Sequence, residues 1–374
     1  MLTGVGIVAP TGLGAGPLLT AVREGAPLGQ VEEVATMRGH TVGVRVARVP
    51  VFDREAHLSA RALRRMGEVS QIWTIACLRA RADAGLSGDA ASAHRPERRG
   101  TYMGTGFGCI DATWDYLLPV LRAGAGDASP FLFSESVANA PAGHSAIEID
   151  TRGASFTFTC GDASALVAVS RAADAVRTGR VDVAWAGGID LMVPPLVHVL
   201  ALLGVPFLGE GAACFVVEEA EAAARRGARA LAEIAGGALL SDPRAGANRW
   251  SRDAAAYERC MRRALGATRS PALDPGSGEV TAPATVREPE PSRVESLFLH
   301  AATDSAARQA EADAAASVCP GTPVTHVTDV TGMFGACGGF ALAAATAAHC
   351  TGDRLVTAAS WGGALASVRL SSPV

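Results

Sequence analysis

Residues 156–188 read FTFTCGDASALVAVSRAADAVRTGRVDVAWAGG, and Cys160, Gly161 and Asp162 stand where a short apolar strand runs into a helix. A turn of this kind exposes a side chain at the positive end of a helix, a place suited to a nucleophile or an anion. A thiol there gains acidity and nucleophilic strength from the helix dipole. A carboxylate there caps the helix by accepting from its free N–H groups. The nucleophile is therefore Cys160, Asp162 or neither, and Asp162 is expected as a cap. The lone His144, in AGH, reads as structural.

The elements that position these groups follow from periodicity and turn chemistry. Residues 1–10 read as a strand entering a glycine-rich turn. Residues 60–84 have helical spacing, with Leu63, Met66, Ile72, Ile75 and Leu78 on one apolar face. A strand over 101–109 ends in glycines and leads to a helix from Asp111. The helix after Asp162 is polar only at Ser170, Arg171, Asp174 and Arg177 and is expected to be mostly buried. Gly179 stops it, and the apolar run 181–186 suits a strand covered on both faces.

Further strands are expected over 211–218 and 297–300, and helices over 220–229, 251–266 and 306–317. Residues 332–339 form a glycine-rich turn before a helix to about His349. Strand, glycine-rich turn and buried helix thus occur once in each half. The alternation predicts an α/β architecture dividing near residue 235, into 1–235 and 236–374. The proline-rich stretch 267–292 reads as a surface excursion of the second half.

Bulk properties narrow the function. The 374 residues suffice for two or more core-forming units. A net charge of −4 and a pI near 6.1 leave no basic footprint for nucleic acid. No window has the uninterrupted apolar length of a transmembrane helix, and the first residues lack the basic region of a signal peptide. Eight cysteines, at 77, 109, 160, 214, 260, 319, 337 and 350, show no metal-ligand or disulfide spacing, which fits a reducing cytoplasm. GTGFG lacks the spacing of a dinucleotide loop, so no cofactor is expected, and without metal-ligand spacing no metal is expected.

Seven segments, in order, resemble the β-ketoacyl synthases of fatty acid and polyketide synthesis, which have the thiolase fold. They are TGVGIVAPTGLG, ALRRMGEVSQ, MGTGFGCID, SPFLFSESVANAPAGHSAIEIDTRG, AGGID, LGEGAACFVVEEAEAAARRGA and FLHAATDSAARQAEADA. The resemblance implies five α-β-α-β-α layers built from two similar halves. It also implies a site of one acylated Cys and two His that polarise the thioester of a malonyl unit. Matched without gaps, Asp162 takes the Cys position, His300 the first His position and Gly332 the second. Val327 stands for the family's Lys. The segment between Gly188 and Gly209 is shortened, and Trp361 replaces a Phe-containing gate.

What the resemblance implies is thus a non-condensing homologue akin to the chain length factors of type II polyketide systems, cytoplasmic and paired with an active ketosynthase in a heterodimer or with itself in a homodimer. An acyl carrier protein is the implied second partner. Phe107, Thr113, Leu117, Phe133 and Trp361 are the implied acyl-tunnel residues. Phe131, Phe133 and Asn139 are implied at the dimer interface, in a segment expected as a strand. One alternative is an acyltransferase, hydrolase or decarboxylase of the same fold using Asp162 and His300. Another is a non-catalytic homodimeric binding protein.

Overall fold

The computed structural model describes residues 1–35, 41–87, 94–266, 294–300, 303–348 and 351–373. The proline-rich stretch 267–292, His349 and Cys350 lie outside the described residues. The strands of the first part of the chain are β1 (Leu2–Ala9), β2 (Gly12–Leu13), β3 (Gln30–Ala35), β4 (Thr41–Ala47) and β5 (Arg99–Gly104). They continue with β6 (Ser155–Phe158), β7 (Val183–Asp190), β8 (Phe207–Gly209) and β9 (Gly211–Glu218). The remaining strands are β10 (Glu233–Ser241), β11 (Val294–Leu299), β12 (Val324–His326), β13 (Asp353–Ala359) and β14 (Ala364–Ser371).

The helices begin with α1 (Ala15–Glu24), α2 (Ala60–Leu63), α3 (Glu68–Asp83), α4 (Ile110–Ala123), α5 (Pro130–Glu135) and α6 (Ala140–Glu148). They continue with α7 (Ser164–Arg177), α8 (Pro194–Leu202), α9 (Ala220–Arg225) and α10 (Ala254–Ala264). The last are α11 (Ser305–Val318), α12 (Thr328–Thr331) and α13 (Cys337–Thr346).

One sheet runs in the order β2-β1-β9-β7-β5-β6 and a second in the order β10-β14-β13-β11-β12. From β1 onward the first has antiparallel, antiparallel, parallel and parallel pairings, and the second repeats that series. Helices α7 and α13 pack between the two sheets, α3 covers the outer face of the first, and α10 and α11 cover that of the second. This is the five-layered α-β-α-β-α architecture of the thiolase-like fold. A small sheet, β3-β4-β8, sits beside it.

The central layer follows from composition. α13, CGGFALAAAT, is apolar or small all round and buried along nearly its whole length, as a helix covered on both sides must be. α7 is buried over its first six residues and exposes charge only toward its end.

Three local expectations change. The single helix over 60–84 breaks at Gly67, whose N–H leaves the helical ladder to donate to Glu135 at 2.8 Å. The helix after 220 ends at Arg225, and Gly227 follows in the left-handed region. The segment around Phe131 and Phe133 is not a strand: Ser129 caps α5 through the Leu132 N–H, and Pro130 opens the helix.

Candidate functional site

The parallel strands β5, β6 and β7 end together, and their carboxyl ends face the turns before α7 and α13. Crevices of α/β sheets open at such ends. Asp190, the last residue of β7, is fully buried there. Its carboxylate accepts from the Thr105 hydroxyl at 2.7 Å and from the Gly106 and Phe107 N–H groups at 2.9 and 3.0 Å. A side chain at Gly335 would collide with it, its Cβ falling 2.2 Å from Asp190 Oδ2. Burial pushes Asp190 up to about 6 although these donors act against the shift. Asp190 thereby ties the turn after β5 to the turn before α13.

Asp162 lies in a single tight turn, Gly161–Ala163, between β6 and α7. It does not cap α7 as expected, and the hydroxyl of Ser164, the first residue of that helix, accepts from the Cys160 N–H at 2.8 Å, ahead of the helix rather than within it. No side-chain cap bond reaches the start of α7. Asp162 instead offers its backbone N–H to Ser360 Oγ at 3.2 Å, and its carbonyl accepts from the Cys337 thiol at 3.8 Å. Burial, reinforced by the nearby Asp190 charge, raises its carboxyl to about 7. The Trp250 indole N–H favours the anion but makes no well-aligned hydrogen bond.

His300 lies behind Asp162, with Nε2 3.6 Å from Asp162 Oδ2, just beyond hydrogen-bond reach. Its N–H donates to Glu311 at 3.1 Å, and its carbonyl accepts from the Thr328 hydroxyl. Among the described residues neither ring nitrogen has a hydrogen-bond partner. Burial lowers the imidazole to about 4, so it is neutral at physiological pH. A carboxyl half-protonated near pH 7 thus faces a neutral imidazole. That is an acid–base pair rather than an ion pair.

In front of Asp162 opens a cavity of about 350 Å³ lined by Phe107, Cys160, Trp250, Met333, Phe334 and Trp361, among others. Trp250 and Trp361 meet edge to face at 5.2 Å. Leu200 of α8, with Val205 and Leu208, closes one side, so the segment 189–209 still walls the pocket. Cys160 reaches the cavity as a thiol: burial raises its pKa, and the Arg171 charge offsets this only in part. Cys109 and Cys337 are buried and raised as well, which keeps them protonated.

The sequence-derived residues separate into two groups. Asp162, His300, Cys160, Phe107 and Trp361 converge. Thr113, Leu117 and Phe133 do not line the cavity; Leu117 and Phe133 are exposed on α4 and α5, where Phe133 packs on Tyr116 at 5.7 Å, and Thr113 is half-buried. Thr113 spends its hydroxyl on the Cys109 and Ser136 carbonyls. Gly332 cannot carry a pocket side chain. It has φ +77°, and a Cβ there would lie 2.4 Å from the Leu208 carbonyl carbon; the neighbouring Met333 lines the cavity instead. His144 Nε2 donates to the Glu135 carboxylate at 2.7 Å, which also accepts from the Gly67 N–H and the Ser70 hydroxyl, so the two residues hold helices together.

Sequence reasoning missed Asp190, Trp250, Met333 and Ser360. Asp190 closes AGGID, and a carboxyl ending a continuously apolar strand was a usable signal. Trp250 and Ser360 come from distant loops and carried none.

Fold and site together define a thiolase-type α/β protein whose pocket opens at the start of a buried central helix. The family model "Beta-ketoacyl synthase, N-terminal domain" matches residues 3–202, and the chain belongs to the β-ketoacyl synthase family. It is 32% identical over 262 residues to nodulation protein E of Rhizobium leguminosarum bv. trifolii, covering 65% of this chain and 63% of that protein. It is 31% identical over 271 residues to putative polyketide beta-ketoacyl synthase 1 of Streptomyces virginiae, covering 64% and 63%. The chain therefore aligns with a little under two thirds of the length of these relatives. Among solved structures, the ishigamide ketosynthase/chain length factor matches with TM-score 0.77 at 20% identity, over 99% of this chain and 98% of that one. A β-ketoacyl synthase from Burkholderia phymatum STM815 matches with TM-score 0.81 at 20% identity, over the same shares.

Proposed function

We propose that this chain is a non-condensing ketosynthase homologue, a chain length factor-like partner of an active ketosynthase in polyketide or fatty acid-type biosynthesis. The observation that carries this reading is Asp162 at the helix start, with every thiol near it held protonated by burial. Condensation by acyl transfer needs a thiolate. A carboxylate acylated in its place would be a reactive anhydride. At the second His position implied by the resemblance Gly332 brings no imidazole, and the neighbouring Met333 lines the pocket.

The surface suits a partner. Trp114, Leu117, Leu121, Phe131, Phe133 and Val137 are exposed on and around α4 and α5. Among the described residues strand β6 is a sheet edge, with Phe156 exposed. Contiguous apolar surface and open edges mark interaction sites. In this reading Leu117 and Phe133, with exposed Asn139 beside them, face the partner rather than this chain's own cavity. One similar solved structure is a type II acyl-carrier protein in complex with its ketosynthase. That likeness supports a carrier as the further partner.

The test is co-expression with a ketosynthase encoded beside this gene, followed by size-exclusion with light scattering and intact mass after exposure to acyl and malonyl carrier thioesters. A one-to-one heteromer with no adduct on this chain is expected. Phe131→Asp and Phe133→Asp should dissociate it, since each would bury an unpaired charge. An acyl adduct on Cys160, or condensation by this chain alone, overturns the reading. A self-paired dimer indifferent to the ketosynthase would instead favour the homodimeric binding protein.

The 3.6 Å approach of Asp162 to His300 at the end of a cavity favours one second reading, acid–base hydrolysis or decarboxylation of an acyl thioester. Thioester turnover by this chain alone, lost in Asp162→Asn, would establish it.

A further inference from the structure

A second cavity, of about 800 Å³, shares no lining residue with the Asp162 pocket and touches no group used above. It is framed by α1, the end of α3, the end of α13 and residues 372–373. Its size falls in the range of small-molecule sites. Four arginines and one aspartate line it, a formal excess of three positive charges: Arg23, Arg79, Arg229 and Arg354 against Asp83. Asp83 is committed, pairing with Arg229 at 3.0 Å and accepting from the Val5 N–H at 2.9 Å. Arg354 is buried and also acts on the Glu295 carboxylate.

Arg23 and Arg79 have no ion-pair partner among the described residues, and the Arg79 Nε is buried with no hydrogen-bond acceptor. Gathering guanidinium groups around one void, with a buried donor left unmatched, is costly unless an anion enters. The void also presents the start of α1 through Gly14 and Ala15, where no side chain caps the helix and no acidic residue stands in its first turn. The chain has no lysine, so its cationic contacts here are arginine forks, which match phosphate oxygens in pairs. Leu19, Leu231 and Ala343 form an apolar wall.

We propose that this cavity binds a small organic phosphate carrying at least two phosphate groups. The arginines take the phosphates, and the apolar wall takes the organic part. The site is independent of the reading of the Asp162 pocket.

The experiment is calorimetric titration of the purified protein with inorganic phosphate, pyrophosphate and ADP. ADP should bind at least about tenfold more tightly than inorganic phosphate, with affinity falling as salt rises. Arg79→Gln and Arg23→Gln should each weaken ADP binding by about tenfold or more, the weight of a charge-assisted hydrogen bond. Arg23 is exposed on α1, so its variant keeps the test open should Arg79→Gln fail to fold. No heat from pyrophosphate or ADP at millimolar concentration overturns the proposal. So does wild-type affinity in both variants, or inorganic phosphate binding as tightly as ADP.

Discussion

Asp162→Asn isolates the buried carboxyl that dominates the candidate site. The unfolded chain ionises this group from about pH 3.8, but the folded chain holds its proton to about 7. At 1.36 kcal/mol for each tenfold change in proton affinity, folding disfavours the anion by roughly 4 kcal/mol. The sign follows from proton counting. Between these two values the folded state binds more protons than the unfolded, so stability falls as pH rises. Asn keeps the shape and removes the ionisation. The advantage of Asn over Asp should therefore grow by roughly 3 kcal/mol between pH 5 and pH 8. His300, lowered to about 4, destabilises the fold as pH falls below its unfolded value of 6.5, but both proteins share that effect and it cancels in the difference. Asp190 adds to the effect, because Asn removes one cause of the mutual repulsion. Urea unfolding of both proteins at several pH values, followed by two probes to check cooperativity, measures the difference. A protonated-carboxyl infrared band at pH 6, absent in the variant, gives a second readout. A stability difference that stays flat with pH refutes the reasoning.

Gly332→Ala should lower stability by about 1–3 kcal/mol or more, because the residue has positive φ and its Cβ would meet the Leu208 backbone. Thermal unfolding checks this, and a parent-like Gly332→Ala would refute it. Glu218→Gln tests a structural charge: burial opposes its ionisation, but bonds from Arg226, His94 and Thr3 hold the carboxyl down to about 2. Its stabilisation, roughly 3 kcal/mol, is complete above pH 4.5 and lost as pH falls toward 2, so the variant should be weaker at pH 7 and flatter in acid.

The fold was legible because its signals are local and redundant. The buried helix α13 is apolar or small on every side, α7 is so over its first half, and the strands at 183–190 and 211–218 lack any polar alternation. A sheet covered on both faces was therefore readable from pattern alone. Gly67 divides one helical pattern because Glu135, distant in sequence, offers its N–H a better partner. The segment 130–135 reads as an apolar run, and its cap at Ser129 turns it into a helix.

The site was only half legible. Residue types at the ends of strands and the starts of helices are local facts, and Asp162 and Cys160 were found on that basis, His300 through the family resemblance. Whether a carboxyl at a helix start is a solvated cap or a buried acid depends on what covers it. Asp190, Trp250 and Ser360 come from elements up to 198 residues away from Asp162 in sequence. The choice between Gly332 and Met333 likewise rests on a backbone angle and on the nearby Leu208 carbonyl, neither of which is written in residue order. Sequence by itself determined the alternation of strands and buried helices and, through the family resemblance, the layers and part of the pocket. Tertiary structure decided which way the pocket groups point and which of them are charged, because direction and desolvation arise only when distant segments meet.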